Sequence, residues 1–338
     1  MVIWRALGPL VAVIAALNGS ALGSTHLVPE EFATIQAAID ACAPGDSVSI
    51  ARGTYTGSAN VSLSIPPIGL VIVSREGREV TILDGERLRG GPVLIGMSEP
   101  RVVVKGLTIK RCTLGLWLED TNPILSDLIF LENWPMYYGG CGGGIYCNDS
   151  SPTLTDVLFE ANASPAGGGM CCGGFGRPEF ARVQFVGNWA EGYGAGLSCF
   201  GEVIPTFSEV AFLDNLSGLY LAVAGHVELE GLEFMGNRLA VLARTDGPLI
   251  VPSVTIRDCL FDGNGRAVDF QAPGALSIES CNFAFGEDGW GAAAIAMRGG
   301  GQLTLTRSIV AFNENQFGVS WDGSGPAPVI ECSDVFGG

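Results

Sequence analysis

Seven times between Phe130 and Asn315 the chain spells Phe-x-x-Asn, and the even spacing of the copies limits the folds open to it. They begin at Phe130, Phe159, Phe185, Phe212, Phe234, Phe261 and Phe312, with degenerate copies ending at Cys112 and Gly286. Counting Phe283 of the second degenerate copy, successive Phe positions lie 22 to 29 residues apart. A unit of that length repeated along a chain marks a stacked-repeat architecture. A constant floor with occasional extra residues predicts one structural turn whose insertions sit in loops.

Downstream of each Asn a small residue leads an alternating strand, as in Gly115-Leu-Trp-Leu118, Gly144-Ile-Tyr-Cys147, Gly196-Leu-Ser-Cys199 and Gly218-Leu-Tyr-Leu221. The second position is always apolar, the fourth is nearly always a core-type residue and the third varies freely. Side chains alternate sides along a strand, so positions two and four point into a shared interior and position three points out. A second run precedes each Phe, with apolar residues two places before it (Leu128, Val157, Val183, Val210) and five places before it (Leu125, Leu154, Phe180, Phe207). That odd spacing cannot face one way on a straight strand. Position −3 is mostly polar or Gly (Asp127, Asp156, Glu209, Gly231, Asp258), which suits a tight bend. Arg307 breaks the −5 column and leaves the register near 303–312 open.

About three short strands per unit, each inward column refilled in the next unit, predict an all-β parallel solenoid. For the Asn column two readings stand: a turn former that tolerates left-handed backbone, or an amide bonded to its counterpart in the next coil. The Gly-x-x-x strands with Pro-x-Leu-x-x-Val-x-Phe-x-x-Asn resemble the right-handed parallel β-helix repeats of the pectate-lyase-like superfamily. They are also similar to the repeats of bacterial polymorphic outer-membrane proteins, and the segment from Phe32 to Tyr55 resembles the opening of many secreted β-helix proteins. The resemblance implies a right-handed parallel β-helix and leaves the activity open, because the superfamily spans lyases, hydrolases, epimerases and adhesins.

Residues 1–23 carry Arg5, an apolar run to about Leu17 and small residues at Ala21-Leu-Gly23, the pattern of a secretory signal peptide. Residues 24–338 then form one β-helix domain. Ile35, Ala38, Ile39 and Cys42 fall on one helical stripe, predicting a short helix that caps the first coil. Val48 to Tyr55, Val61 to Ile65, Val71 to Ser74 and Val80 to Leu83 read as the first strands. At the other end Val329 to Phe336 begins a further coil without a cap, the pattern expected of a truncated chain. No later apolar segment reaches the length of a membrane span, so a protein secreted or held at the cell surface, and a monomer, is expected.

Net charge is −17 with two lysines, Lys105 and Lys110, which weighs against nucleic acid as a partner. It also weighs against a strongly anionic polysaccharide, except where Ca²⁺ bridges the two; no other cofactor is expected. Ten cysteines in a secreted chain raise disulfides. Yet Cys147, Cys172 and Cys199 share one inward column, and Cys259 and Cys281 another, as buried small hydrophobes. Cys141 and Cys171 are better placed for exposure and for pairing. No metal site is expected, since neither His26 nor His226 stands at ligand spacing from a cysteine.

Positions three and five of the Gly-led strands are expected to form one solvent face, the face where polysaccharide lies in the β-helix enzymes this chain resembles. Trp117, Glu119, Tyr146 and Tyr220 on it are the candidate glycan-binding residues, because aromatic rings stack against the C–H faces of sugars; ordinary cross-strand pairing is the rival reading. Arg244, Asp269, Arg298 and Asp322 alternate in sign on successive coils and are the catalytic candidates. Asp269 and Asp322, two coils or about 10 Å apart, stand at the edge of the carboxylate separation used in glycoside hydrolysis. The bland alternative is an exposed salt ladder, as read for Glu230, Arg257 and Glu279. No Asn-Thr-Asp or Gly-His-Gly motif of the polygalacturonases and no Ser-His-Asp set is present. The expected function is non-catalytic glycan binding or adhesion to a polysaccharide or cell-surface glycan, with a polysaccharide hydrolase or lyase as the alternative.

Overall fold

A computed structural model of the chain describes residues 23–87, 93–95, 102–134, 140–247, 251–284, 293–311 and 318–336. Residues 1–22 of the predicted signal segment 1–23, Gly286 and the Phe312–Asn315 copy therefore lie outside the described residues. The chain forms a right-handed parallel β-solenoid of about 11 turns. A 12-stranded sheet holds the Gly-led strands, and a 17-stranded sheet holds the Phe-x-x-Asn strands. In later coils the run preceding the Phe separates into a five-stranded sheet that begins at Gly225–Glu230.

Leu116, Ile145, Met170, Leu197 and Leu219 pair rung to rung and are all fully buried. The same file runs on through Val241, Val268 and Ile295 to Val319. One hydrophobic core extends from Val28 to Val310.

The bend predicted before each Phe is a single left-handed residue. Asp127, Asp156, Arg182, Glu209, Asp258, Ser280 and Arg307 all take φ between 49° and 57°. One such residue reverses the pleat, so Leu125 and Leu128, or Leu154 and Val157, both turn inward and are buried. Arg307 occupies this bend and not the −5 column. Leu305 fills the column opposite Ile278, and Val310 takes the place opposite Phe283. This coil is thus set two residues earlier than the Phe312 copy implies.

The asparagine column is an amide ladder. Asn133 donates from Nδ2 to Asn162 Oδ1 at 3.0 Å, and Asn162, Asn188, Asn215 and Asn237 do the same to the next rung, up to Asn264. From Asn162 on, each Oδ1 also accepts the backbone N–H of the preceding asparagine, and each Nδ2 also reaches the carbonyl of the preceding Phe, as Asn188 does to Phe159 at 3.0 Å; Asn133 Nδ2 reaches Ile109 O, which stands in the Phe place. The residue in left-handed backbone is the one before the Asn (Glu132 φ 53°, Ala161 φ 52°), so the amide reading of this column holds and the turn belongs to its neighbour. Beside the ladder, the rings of Phe130, Phe159, Phe185, Phe212, Phe234, Phe261 and Phe283 stack with centroids 4.6–5.0 Å apart, the spacing of the strands themselves.

The expected capping helix is present at Ile35–Asp40 with Ile35, Ala38 and Ile39 buried, and the Thr34 hydroxyl accepts from Ala37 N at 3.3 Å. Val61 ends a second short helix, Ser58–Val61, and does not open a strand. Among the described residues no helix is long and apolar enough to cross a membrane.

Replacing Asn188 by Ala bares buried groups of Asn162 and Phe159. With a cost of about 1–3 kcal/mol for each bared group, Asn188→Ala is expected to lower the urea unfolding midpoint markedly while leaving the circular dichroism of the folded state unchanged.

Candidate functional site

The Gly-led sheet was expected to present an open outer wall, and it does so only at its ends. Trp117 is 38% exposed and pairs with Tyr146 on the next rung; their rings meet edge-on at 5.0 Å. The Trp117 indole N–H donates to Glu119 Oε2 at 3.1 Å, fixing the ring on the surface. Burial and the Glu119 charge push the Tyr146 phenol up from its ordinary pKa. These three residues meet as the sequence implied.

Farther along, the wall is roofed. Cys171, Ser198, Tyr220, Leu242, Asp269 and Ala296, all at the outward third position, are at most 5% exposed. Described residues of the loops that precede the Gly-led strands take part in this cover, Tyr193 on Tyr220, Leu239 on the Tyr220–Leu242 cluster and Arg266 on Asp269. Cys141 is disulfide-bonded to Cys171, so Cys171 is paired but buried rather than exposed. Tyr193 stacks on Tyr220 at 5.2 Å, and the Ser198 hydroxyl donates to Tyr193 O at 2.8 Å. Tyr220, Ala222 and Leu242 form a second small apolar cluster, outside the solenoid and packed by Phe200 and Leu239. The Tyr220 hydroxyl donates to Asp246, and burial followed by that carboxylate pushes its pKa up. Tyr220 is therefore not an open platform for a ligand.

The alternating charges resolve into separate pairs. Arg244 donates to Asp246 at 2.7 Å and lies over the Tyr193 ring at 4.8 Å. Asp269 is 3% exposed; Arg266 holds one of its oxygens and Arg298 stands 3.6 Å from the same oxygen, while the other is buried without a partner. Asp322 accepts from Gly299 N at 3.1 Å and from Ser324, contacts that lower its pKa, Ser324 first. On the other face Arg257 bridges Glu279 and Glu228, so the ladder takes Glu228 in place of Glu230.

Reading strands alone missed a cleft at the corner of the coil. The residue after each Asn is Trp134, Ala163 and Trp189 on three successive rungs. Trp134 is 61% and Trp189 43% exposed. They flank a cleft of about 430 Å³, with Ala163 between them in the column and Ala161, Arg87 and Glu132 at its rim. Arg87 and Glu132 are ion-paired at 2.7 Å. Two tryptophans in one column, two units apart, were the signal available in the sequence.

The rim is braced from below by Asp84, which is 3% exposed. Burial opposes its charge, but Arg111, the backbone N–H of Glu86 and Lys110 outweigh burial and hold its carboxyl below the usual carboxylate range. Arg111 O in turn accepts the Arg87 backbone N–H at 3.0 Å.

At the N-terminal end His26, Cys42 and Asp46 bring donor atoms within 4.8 Å of one another, a cluster that their sequence spacing had hidden. Asp46 already accepts from Ala43 N at 2.8 Å, Ser24 N at 2.6 Å and His26 Nε2 at 3.1 Å. Burial pushes the Cys42 thiol up to about 11, so it keeps its proton at neutral pH. This arrangement braces the first coil, tying Ser24 and His26 to the turn that follows the capping helix.

No family model matches the chain, and no curated protein matches it. Among solved structures it is similar to the catalytic unit of a thermostable GH87 α-1,3-glucanase from Streptomyces thermodiastaticus strain HF3-3, with 13% identity and a TM-score of 0.49. The match covers 88% of this chain and 64% of that one.

Because the folded-state pKa of Asp84 is depressed, its contribution to stability is complete above the unfolded value of about 3.9 and is lost as pH falls through the folded value. Asp84→Asn is expected to lower the melting temperature at neutral pH, and melting curves of variant and parent are expected to converge in strong acid.

Proposed function

We propose that this is a secreted or surface-displayed β-helix protein that binds glycans without transforming them. The supporting observation is the placement of its tryptophans. Trp117, Trp134, Trp189 and Trp321, all the tryptophans among the described residues, are 38–61% exposed, whereas the phenylalanines of the Phe-x-x-Asn column are fully buried. Tryptophan is on average a highly buried residue, and its flat ring is well suited to the apolar face of a pyranose. A net charge of −17 repels polyanions and favours a neutral polysaccharide.

The catalytic alternative finds less support. Asp269 is buried beneath the loop roof and neutralised by Arg266, and Asp322 spends its oxygens on its own turn and on Gly299. A hydrolase needs an acid and a second carboxylate that both reach the glycosidic bond.

Screening the purified protein on a glycan array while assaying release of reducing ends tests the reading. Binding without release is expected, with Trp117→Ala weakening capture of those ligands that use the Trp117–Tyr146 pair. Release that disappears in Asp269→Asn would reverse the conclusion.

A further inference from the structure

Resting on that reading, we infer that the Trp134–Trp189 cleft is a subsite for a neutral, extended, β-1,4-linked polysaccharide that runs along the solenoid axis and seats alternate sugars on the two indoles. The column to which both tryptophans belong runs from rung to rung, along the axis. At about 4.8 Å per rung, two rungs separate the rings by about 10 Å, close to the length of two pyranose units. In a flat β-1,4-linked chain each sugar is turned over relative to the last, so only every second residue offers the same face. Stacking platforms on alternate rungs match that period, and Ala163 between them leaves the intervening sugar room.

The platform is fixed before any ligand arrives. Trp134 N donates to Cys112 O at 2.9 Å, Ala163 N to Asn133 O at 2.9 Å and Trp189 N to Asn162 O at 2.9 Å, so the backbone under the cleft is locked to the asparagine ladder. Little ordering remains to oppose binding. At the rim, Arg87 supplies donors and Glu132 acceptors. That mixture fits hydroxyl groups, which both give and take hydrogen bonds. A proline-rich strand, the other common guest of aromatic grooves, presents carbonyls that only accept, so it could use the Arg87 donors but not the Glu132 acceptors.

The test is calorimetric titration with linear β-1,4 gluco-, manno- and N-acetylglucosamine oligosaccharides of one to six units, on the parent protein and on Trp134→Ala, Trp189→Ala, Trp117→Ala and Ala163→Leu. In at least one series affinity is expected to step upward at the trisaccharide, the shortest chain to span both indoles. Trp134→Ala and Trp189→Ala are each expected to cost about tenfold in binding of the longer chains and to erase the step, and Ala163→Leu to block it. All four positions lie on the surface, and unchanged melting curves confirm that the variants fold. If oligosaccharides bind and only Trp117→Ala weakens them, the subsite is overturned and glycan binding stands. Absence of binding to any glycan overturns both. Displacement of bound oligosaccharide by a proline-rich peptide, with tighter binding of that peptide, also overturns the subsite.

Discussion

The asparagine ladder is the interaction on which the rest of the solenoid depends. Within the strands, each backbone group finds its partner in the coil above or below. At the Asn of each corner that pattern breaks: the residue is buried and its N–H bonds to a side chain instead of a neighbouring backbone carbonyl, and a bare peptide group there would cost about 1–3 kcal/mol. An asparagine side chain is a second peptide group placed where the backbone cannot supply one. Its Oδ1 takes the N–H of the rung before, and its Nδ2 gives to the rung after and to a phenylalanine carbonyl. Every amide points the same way, so the ladder has a direction and its two ends differ. At the first rung Cys112 offers only its backbone N–H, to Asn133 Oδ1 at 3.0 Å, which is all the ladder requires at that end. The same reach explains why Asn162 and Asn215, although each stands in a glycosylation sequon, are 0% and 2% exposed and have no amide free.

Backbone geometry also places part of the surface charge. Three of the left-handed bends are filled by aspartate (Asp127, Asp156 and Asp258), whose short side chain tolerates positive φ, and others by Glu209, Arg182 and Arg307. Repetition then stacks them, and where an arginine fills the bend it pairs with the carboxylate on the neighbouring rung, as Arg182 does with Asp156 at 2.6 Å. Both partners there are about half exposed, so such pairs contribute little to stability. The bends thus carry charges of both signs, and the strong acidity of the chain arises mainly elsewhere.

Periodicity made the interior legible. The file from Leu116 to Leu219, the bend at position −3 and the capping helix all follow from which residues alternate and where they cease to. Two features escaped for physical reasons. Phe312-x-x-Asn315 imitates the repeat two residues past the place where Val310 sits in the phenylalanine column, and a tetrapeptide cannot show which neighbour it pairs with. The outer wall was misjudged at Tyr220 and Asp269 because alternation tells which side of a strand a residue faces. Whether a loop from another part of the coil covers that side is a separate matter. The buried, partner-poor Asp269 and the Tyr193–Tyr220 stack are products of loop packing, and single-strand patterns carry no record of it.

That same roof determines where recognition is possible. The loops after Asn162 and Asn188 begin as a two-residue parallel pair, Ala163–Ser164 against Trp189–Ala190. Ser164 and Ala190 are fully buried, turned under the loops that close over the Gly-led wall. Strand alternation then obliges their neighbours Ala163 and Trp189 to face the other way, outward. Closing the wall and exposing the tryptophan column are therefore one structural event: the small residues tuck under while the large ring is left on the rim. A solenoid that covers its broad face in this manner retains its corner as an open surface held in place, because the root of each loop is hydrogen-bonded to the asparagine rung beneath it.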